Sequence, residues 1–351
     1  MRSGPGTSHS VLKTLARGTK GEVLATMNGW SYVRFSNGLV GWVRSDLLSS
    51  GTITPPPASD ADKASLDKSF TRWDKHLKGS YLNFDNLSWW WKLGRAWKAY
   101  QDGDFQKAYE LAQADTSDPL KARYLMAKSL YGLGKYAEAR AMLKGIEKTL
   151  EDAAFLQVLD KTAKQYIDEP VVFKFGGFDD LPTYRMKKAK GYPLGLESSV
   201  YYDKYVDINT WKWKSDAAYK EFNKIGGIDC SGFVQMVLKE TYGDAGKTWP
   251  ISGRTSTSGL WSQNFTKEIN PGHRPPPPPD IRPGDMILFD YGHNRYGHSA
   301  IYRGRDAQGN IHVLQMGDTA QEAIIPAEKL QYYKGTYRMN GMDAVRQKLT
   351  A

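Results

Sequence analysis

Residues 226–238 read Gly-Gly-Ile-Asp-Cys-Ser-Gly-Phe-Val-Gln-Met-Val-Leu and contain the single cysteine of the 351-residue chain. The apolar residues between Phe233 and Leu238 recur at the spacing of one helix face, which predicts a helix here. The two glycines and Asp229 before them are typical of a helix start. The pattern therefore places Cys230 in the first turn of a helix.

This position favours a reactive thiol at Cys230. Unpaired backbone N–H groups and the positive end of the helix dipole stabilise a thiolate, so they lower the pKa of a cysteine at a helix start. An inert buried cysteine is the alternative, because free cysteine is among the most buried residue types. The small and polar neighbours of Cys230 suit an accessible sulfur better than an apolar pocket.

A histidine follows the cysteine at a position suited to a general base. Residues 282–290 read Arg-Pro-Gly-Asp-Met-Ile-Leu-Phe-Asp, which is a turn followed by an apolar strand. After a short loop, His298 opens a second predicted strand, an ordered position from which an imidazole can meet a thiol. A lone histidine at a strand start is more often structural. Its combination with the Cys230 motif favours a catalytic pair.

These motifs resemble those of the NlpC-type cell-wall cysteine peptidases, which carry Asp-Cys-Ser-Gly-Phe at a helix start, Pro-Gly-Asp before a strand and Gly-His at the next strand. The resemblance covers about residues 170–351, and we assign an α+β papain-like peptidase domain to residues 169–351. It implies that Cys230 is the nucleophile and His298 the base. It also implies that a polar residue of the following strand orients the imidazole.

Two residues of that following strand, His312 and Gln315, are candidates for the third catalytic position. They are three positions apart, so they face opposite sides of a strand. In the family this residue usually directly precedes small residues at the strand end, which favours Gln315 near Gly317 and leaves His312 as the alternative. Either side chain can hydrogen-bond the imidazole and fix its tautomer.

The resemblance also implies substrate-binding roles for Asp229, Ser231, Tyr219 and Arg254. Relatives contact the free amine of the substrate peptide near the first two positions, and helix capping by Asp229 is the structural alternative. The family's Tyr-x-Trp-Gly-Gly motif is missing from residues 218–227, where Tyr219 is the candidate substitute in the oxyanion hole. Arg254 lies in a segment similar to the family's Pro-Arg-x-Ser cleft motif.

The first 50 residues predict a small all-β domain. Short runs with strand character alternate with Gly, Asn and Ser at 22–24, 31–35 and 41–43. Residues 1–50 resemble a bacterial SH3-like module, a small barrel that commonly holds a cell-wall peptide. Residues 51–62 contain three prolines and are predicted to form a linker. The proline run 275–279 is predicted to be a surface spacer, with a role at the cleft rim or in partner binding as alternatives.

Residues 63–168 predict a helical spacer with an internal repeat. A Gly, an aromatic residue and an Ala recur after 31 residues, as Gly103, Phe105, Ala108 and again as Gly134, Tyr136, Ala139. The pattern resembles a pair of tetratricopeptide-like hairpins, whose usual period is about 34 residues. Two hairpins are fewer than a free solenoid needs, so we expect this segment to pack on its neighbours and consider it a candidate site for a protein partner.

Composition excludes several classes of protein. The net charge of +10 is spread along the chain without a basic block, which argues against a nucleic-acid partner. No run of about 18 apolar residues is present, so no membrane span is predicted. One cysteine allows neither an intrachain disulfide nor a cysteine-based zinc site, and the histidines lack the spacing of a metal site. We therefore expect no cofactor and no metal.

The sequence thus predicts a multidomain enzyme with an SH3-like barrel, a tetratricopeptide-like spacer and a papain-like peptidase domain. The resemblance implies a peptidoglycan hydrolase that cleaves stem peptides between D-glutamate and the diamino acid through a thioester. That substrate implies an extracytoplasmic location, with cytoplasmic recycling as the alternative. An amidase or acyltransferase with the same Cys-His pair, and a non-catalytic wall-binding scaffold, are the two alternative functions.

Overall fold

The computed structural model describes residues 1–16, 18–27, 29–35, 39–49, 60–77, 83–85, 87, 91–261, 265–269, 277–278, 280–290, 297–306 and 308–350. It divides the chain into two compact units, Met1–Pro57 and Ala58–Ala351. Most of the predicted linker 51–62 and most of the proline run 275–279 lie outside the described residues. Within the described part of the chain, no helix is long and apolar enough to cross a membrane.

The first unit contains a three-stranded antiparallel sheet in the order β1 (Gly21–Met27), β2 (Trp30–Phe35), β3 (Val40–Arg44). Alternate residues of β2 point inward, and Val33 and Phe35 are buried. Tyr32 pairs with Trp42 across the strands, with ring centroids 5.2 Å apart. The period-2 pattern of this segment therefore forms the small β domain that the sequence predicts.

The described part of the second unit begins with five α-helices. They are α1 (Asp60–Leu77), α2 (Lys92–Gln101), α3 (Phe105–Gln113), α4 (Pro119–Gly132) and α5 (Tyr136–Asp168). Gly103 and Gly134 both have positive φ, 81° and 73°, which only glycine adopts readily at a helix end. Ala108 and Ala139 are fully buried, as a close approach between paired helices requires. Both features of the sequence repeat are confirmed.

Helix α5 belongs to two cores. Its residues from Ala139 to Ala154 pack among the other helices, whereas Phe155 to Tyr166 pack in a second core with the C-terminal sheet. The 33-residue helix is continuous across the change. The helical segment therefore packs on its neighbour, as its small number of repeats predicts.

Shorter elements connect α5 to the sheet. They are α6 (Leu181–Ala189), α7 (Ser198–Lys204), the hairpin β4 (Val206–Asp207) and β5 (Lys212–Trp213), α8 (Asp216–Lys224) and α9 (Cys230–Asp244). The sheet strands are β6 (Thr266–Glu268), β7 (Met286–Asp290), β8 (Gly297–Arg305), β9 (Ile311–Met316), β10 (Ala320–Ile325) and β11 (Tyr333–Met339), followed by α10 (Met342–Leu349). The sheet order is β10-β9-β8-β7-β11-β6, with every pair antiparallel. Helix α9 packs against β8 and β9.

A buried ionic network fixes the turn before β7. Asp285 is fully buried and accepts two 2.8 Å hydrogen bonds from Arg338 and one from the backbone N–H of Arg282. The Arg282 guanidinium in turn donates to Asp152 on α5 at 2.7 Å. Because a buried carboxylate is costly without such partners, this network ties the start of β7 to both β11 and α5.

Replacing Phe155 by Ala tests the shared core. Phe155 is fully buried where α5 meets the sheet, so Phe155→Ala should lower the free energy of unfolding by about 3–5 kcal/mol. Urea denaturation followed by circular dichroism measures this change. The control Lys161→Ala, at an exposed position of the same helix, should change it by less than about 0.5 kcal/mol. An equally small effect at Phe155 would contradict the shared core.

Candidate active site

Cys230 is the first residue of α9, and Asp229 caps the helix. The Asp229 carboxylate accepts hydrogen bonds from the backbone N–H of Gly232 at 2.7 Å and from the Ser231 hydroxyl at 2.8 Å. This is the capping role that an aspartate at this position favours. The structure therefore places the thiol in the first helical turn, as the sequence pattern predicts.

Arg254 also reaches the capping carboxylate. Its guanidinium pairs with the second oxygen of Asp229, which is buried, whereas Arg254 itself is exposed. Three of the four predicted substrate-binding residues, Asp229, Ser231 and Arg254, thus form one hydrogen-bonded group beside Cys230. The hydrogen bonds of Asp229 in this structure are those of a helix cap and an ion pair.

His298 and Gln315 lie on neighbouring strands. Gln315 on β9 pairs with Ala300 on β8, and Ala300 lies two residues from His298 on the same face. The imidazole Nε2 lies 2.9 Å from the Gln315 Oε1. An amide oxygen only accepts hydrogen bonds, so this contact places a proton on Nε2 and leaves Nδ1 for the thiol of Cys230.

Of the two candidates for the third position, the structure brings Gln315 to the imidazole. His312 lies on the other side of β9, where its Nε2 is 3.5 Å from the Asp306 carboxylate. The opposite orientation of the two residues follows from their odd spacing, and the register of β8 and β9 decides between them.

The sulfur of Cys230 has two further neighbours. The Thr257 hydroxyl lies 3.6 Å from it and the Gly297 carbonyl oxygen 3.9 Å. Thr257 is a buried residue that the sequence analysis missed. It lies in the same Ser/Thr-rich segment as Arg254, and that segment is the only sequence feature that points to it.

The thiol and the imidazole shift each other's pKa in opposite directions. Burial raises the pKa of Cys230, but the hydrogen bond and positive charge of His298 outweigh it, so the pKa lies below that of an ordinary thiol. Burial lowers the pKa of His298, but its interaction with Cys230 and the Gln315 hydrogen bond outweigh that effect and raise it. Both shifts favour the thiolate–imidazolium form of the pair over the neutral form.

Residues 173–177 have the spacing of the Tyr-x-Trp-Gly-Gly motif, which residues 218–227 lack. They read Phe-Lys-Phe-Gly-Gly, with an aromatic-x-aromatic-Gly-Gly spacing, and the Gly177 carbonyl accepts the backbone N–H of Asp229 at 3.2 Å. Tyr219, the predicted substitute for the missing motif, is 47% exposed on α8 and contacts the ring of Trp213. The segment 173–177 thus lies against the start of α9, and the ring contact of Tyr219 is with the β4–β5 hairpin.

The chain leading into α9 is held by buried charges. Both Lys174 and Lys187 donate to the Ile225 carbonyl, at 2.9 and 3.0 Å. Asp179 binds Lys187 at 2.8 Å and accepts the backbone N–H of Gly227 at 3.0 Å. Gly227 has a φ of 142°, and a side chain there would meet Lys174, so only glycine fits. These contacts fix the residues that precede Cys230.

A metal site is not found among the described residues, where no group of three or more His, Cys, Asp or Glu side chains could hold an ion. The groups that meet at the candidate site are the thiol, the imidazole, and the backbone N–H groups at the start of α9.

Two family models match parts of the chain. Residues 1–49 match the bacterial SH3 domain, and residues 84–146 match anaphase-promoting complex, cyclosome, subunit 3. The N-terminal β domain is thus SH3-like, and α2 to α5 include a tetratricopeptide-like region, which is a feature of protein-interaction segments. No curated protein and no solved structure matches the chain significantly.

Removal of His298 tests the ionic pair. At about pH 6.5 an ordinary thiol is only about 1% thiolate, because its pKa is about 8.5. We expect His298→Ala to slow alkylation of Cys230 by iodoacetamide at this pH on the order of tenfold, since the thiolate loses its counter-ion. The matched control His312→Ala should alkylate at the wild-type rate. Equal rates for His298→Ala and wild type would contradict the pairing.

Proposed function

We propose that the chain is a peptidoglycan hydrolase whose C-terminal domain is a papain-like cysteine peptidase of the NlpC type. The observation that carries this proposal is the arrangement of Cys230 at a helix start, His298 beside it and Gln315 on Nε2 of the imidazole. A nucleophile, a base and a residue that orients the base are the three parts that nucleophilic catalysis requires. The bacterial SH3 match supports association with a cell wall.

Acyl transfer begins with attack of the Cys230 thiolate on the scissile carbonyl carbon. The new C–S bond moves an electron pair onto the carbonyl oxygen, and the backbone N–H of Cys230, at the positive end of α9, is placed to stabilise it. Collapse of this intermediate breaks the C–N bond. The His298 imidazolium gives its proton to the departing amine, which leaves a thioester on Cys230.

Hydrolysis then reverses these roles. Neutral His298 removes a proton from water, and the resulting hydroxide attacks the thioester carbonyl. The C–S bond breaks, the acid product leaves, and the thiolate–imidazolium pair is restored. Gln315 holds Nε2 throughout, so that Nδ1 faces the sulfur and then the water.

The proposed substrate is the stem peptide of peptidoglycan, with the amide between D-glutamate and the diamino acid as the scissile bond. This choice follows from the family resemblance of the Asp-Cys-Ser-Gly-Phe and Gly-His motifs, together with the SH3 match. An extracytoplasmic location is part of the proposal, with cytoplasmic recycling of stem peptides as the alternative. The tetratricopeptide-like region is a candidate surface for a protein partner.

Digestion of soluble muropeptides with product identification by mass spectrometry tests the proposal. The wild-type protein should release the γ-D-glutamyl product. Cys230→Ala should lower the cleavage rate on the order of 10³-fold or more. Gln315→Ala should lower the rate about tenfold or more, because the base is misoriented. His312→Ala, on the other face of β9, is the control and should retain wild-type rates.

Other products would identify other functions. Transfer of the acyl group to an added amine in preference to water would indicate an acyltransferase. If the wild-type protein cleaves no muropeptide, the hydrolase proposal is wrong and the non-catalytic wall-binding scaffold is the remaining function.

A further inference from the structure

An exposed group of aromatic side chains lies on the elements before α9. We define it as the aromatic shelf, formed by Tyr201 and Tyr202 of α7, Trp211 and Trp213 of the β4–β5 hairpin, and Tyr219 of α8. Trp211, Trp213 and Tyr219 are 48%, 38% and 47% exposed. Large exposed aromatic rings in one contiguous patch often mark a binding surface.

The hairpin holds Trp211 in a strained conformation. Its φ is 56°, in the left-handed region that a bulky residue rarely adopts. Asp207 maintains the turn, because its carbonyl accepts the Trp211 N–H at 2.8 Å and its carboxylate accepts the N–H of Asn209 at 2.8 Å. The ring of Trp211 packs edge-on against Tyr202 at 5.3 Å.

The aromatic shelf is continuous with the candidate active site. Phe175 contacts Tyr201 and Tyr202 with centroid distances of 5.3 and 5.5 Å. Two residues later, the Gly177 carbonyl accepts the backbone N–H of Asp229 beside the nucleophile. Burial raises the pKa of Tyr201, and the charges of Arg254 and Asp229 also act on it.

The charges around the residues that precede and cap α9 do not favour a free amine. Asp229 is already paired with Arg254, and Asp179 with Lys187. Lys174 adds a further cation, with a pKa of about 8 because of burial and of the Lys187 charge, so it is mostly protonated at neutral pH. Three cations therefore face two carboxylates, and a peptide N-terminal ammonium would add an unfavourable positive charge.

We propose that the aromatic shelf binds a sugar ring of the glycan strand, so that the enzyme acts on stem peptides still attached to their sugar. This inference rests on the proposed function. A stem peptide is joined to its sugar through an amide, so it has no N-terminal ammonium and suits the charge balance of the site. The flat indole and phenol faces suit the C–H face of a sugar ring, while the phenol O–H and indole N–H groups can hydrogen-bond its hydroxyls.

Calorimetric binding to the full-length Cys230→Ala protein tests this inference without requiring turnover. The two ligands are a disaccharide tetrapeptide and the same tetrapeptide released from its sugar. We expect the sugar-linked ligand to bind about tenfold or more tightly. Adding Trp211→Gly should abolish that difference, whereas adding the control Trp91→Ala, which removes a 60% exposed tryptophan at the start of α2, should preserve it.

The Trp211→Gly variant also separates lost binding from lost folding. Glycine adopts positive φ without strain, and this relief offsets the lost ring contact, so the variant should remain folded with a urea midpoint close to that of its parent. Trp213→Ala should weaken the sugar-linked ligand in the same direction.

Three results would overturn the aromatic shelf as a sugar site. The first is that the parent binds the two ligands equally tightly or binds neither. The second is that Trp211→Gly weakens binding of the sugar-free peptide as much as binding of the sugar-linked ligand. The third is that the parent self-associates and Trp211→Gly abolishes this self-association. If the wild-type protein cleaves neither ligand and still binds the sugar-linked ligand more tightly, the result supports the aromatic shelf as a sugar site. The same result overturns the proposed hydrolase.

Discussion

The hydrogen bond between His298 and Gln315 is the interaction on which the candidate site depends. It fixes the proton on Nε2, and it thereby determines which imidazole nitrogen can meet the thiol of Cys230. The register of β8 and β9 makes this contact, and a shift by one residue would turn Gln315 to the other face of the sheet. The capped start of α9 supplies the other half of the site, since the Asp229 carboxylate holds the turn in which the sulfur lies.

The surrounding structure holds these two halves in place. Asp285 ties the start of β7 to β11 and, through Arg282, to α5, and β7 pairs with β8 opposite His298. On the helix side, Lys174, Lys187 and Asp179 hold the residues that precede Cys230. Because α5 packs in both cores of the second unit, it joins the helical segment to the part of the chain that contains the candidate site.

Local patterns in the sequence predicted the features that depend on neighbouring residues. The helix start at Cys230, the strand that His298 opens, and the repeated Gly-Ala pattern of the helical segment all follow from spacing and capping. The choice of Gln315 followed from its place near the strand end, and the strand register supports it. Features that depend on contacts between distant segments were not predicted. Thr257 and the 173–177 segment reach the site only through the tertiary fold. Tyr219, which the sequence predicts to bind substrate, contacts Trp213 on α8's neighbouring hairpin.

Titration of the Cys230 thiolate tests the central claim most directly. The ultraviolet thiolate absorbance of the wild-type protein, with the Cys230→Ala protein as the reference, follows one group because the chain has a single cysteine. Stabilisation by the His298 imidazolium predicts that the thiolate forms well below the ordinary thiol pKa of about 8.5 and stays ionised at every higher pH. A thiolate that forms only at or above about pH 8.5 would mean that burial prevails over His298, and it would contradict a nucleophilic role for Cys230.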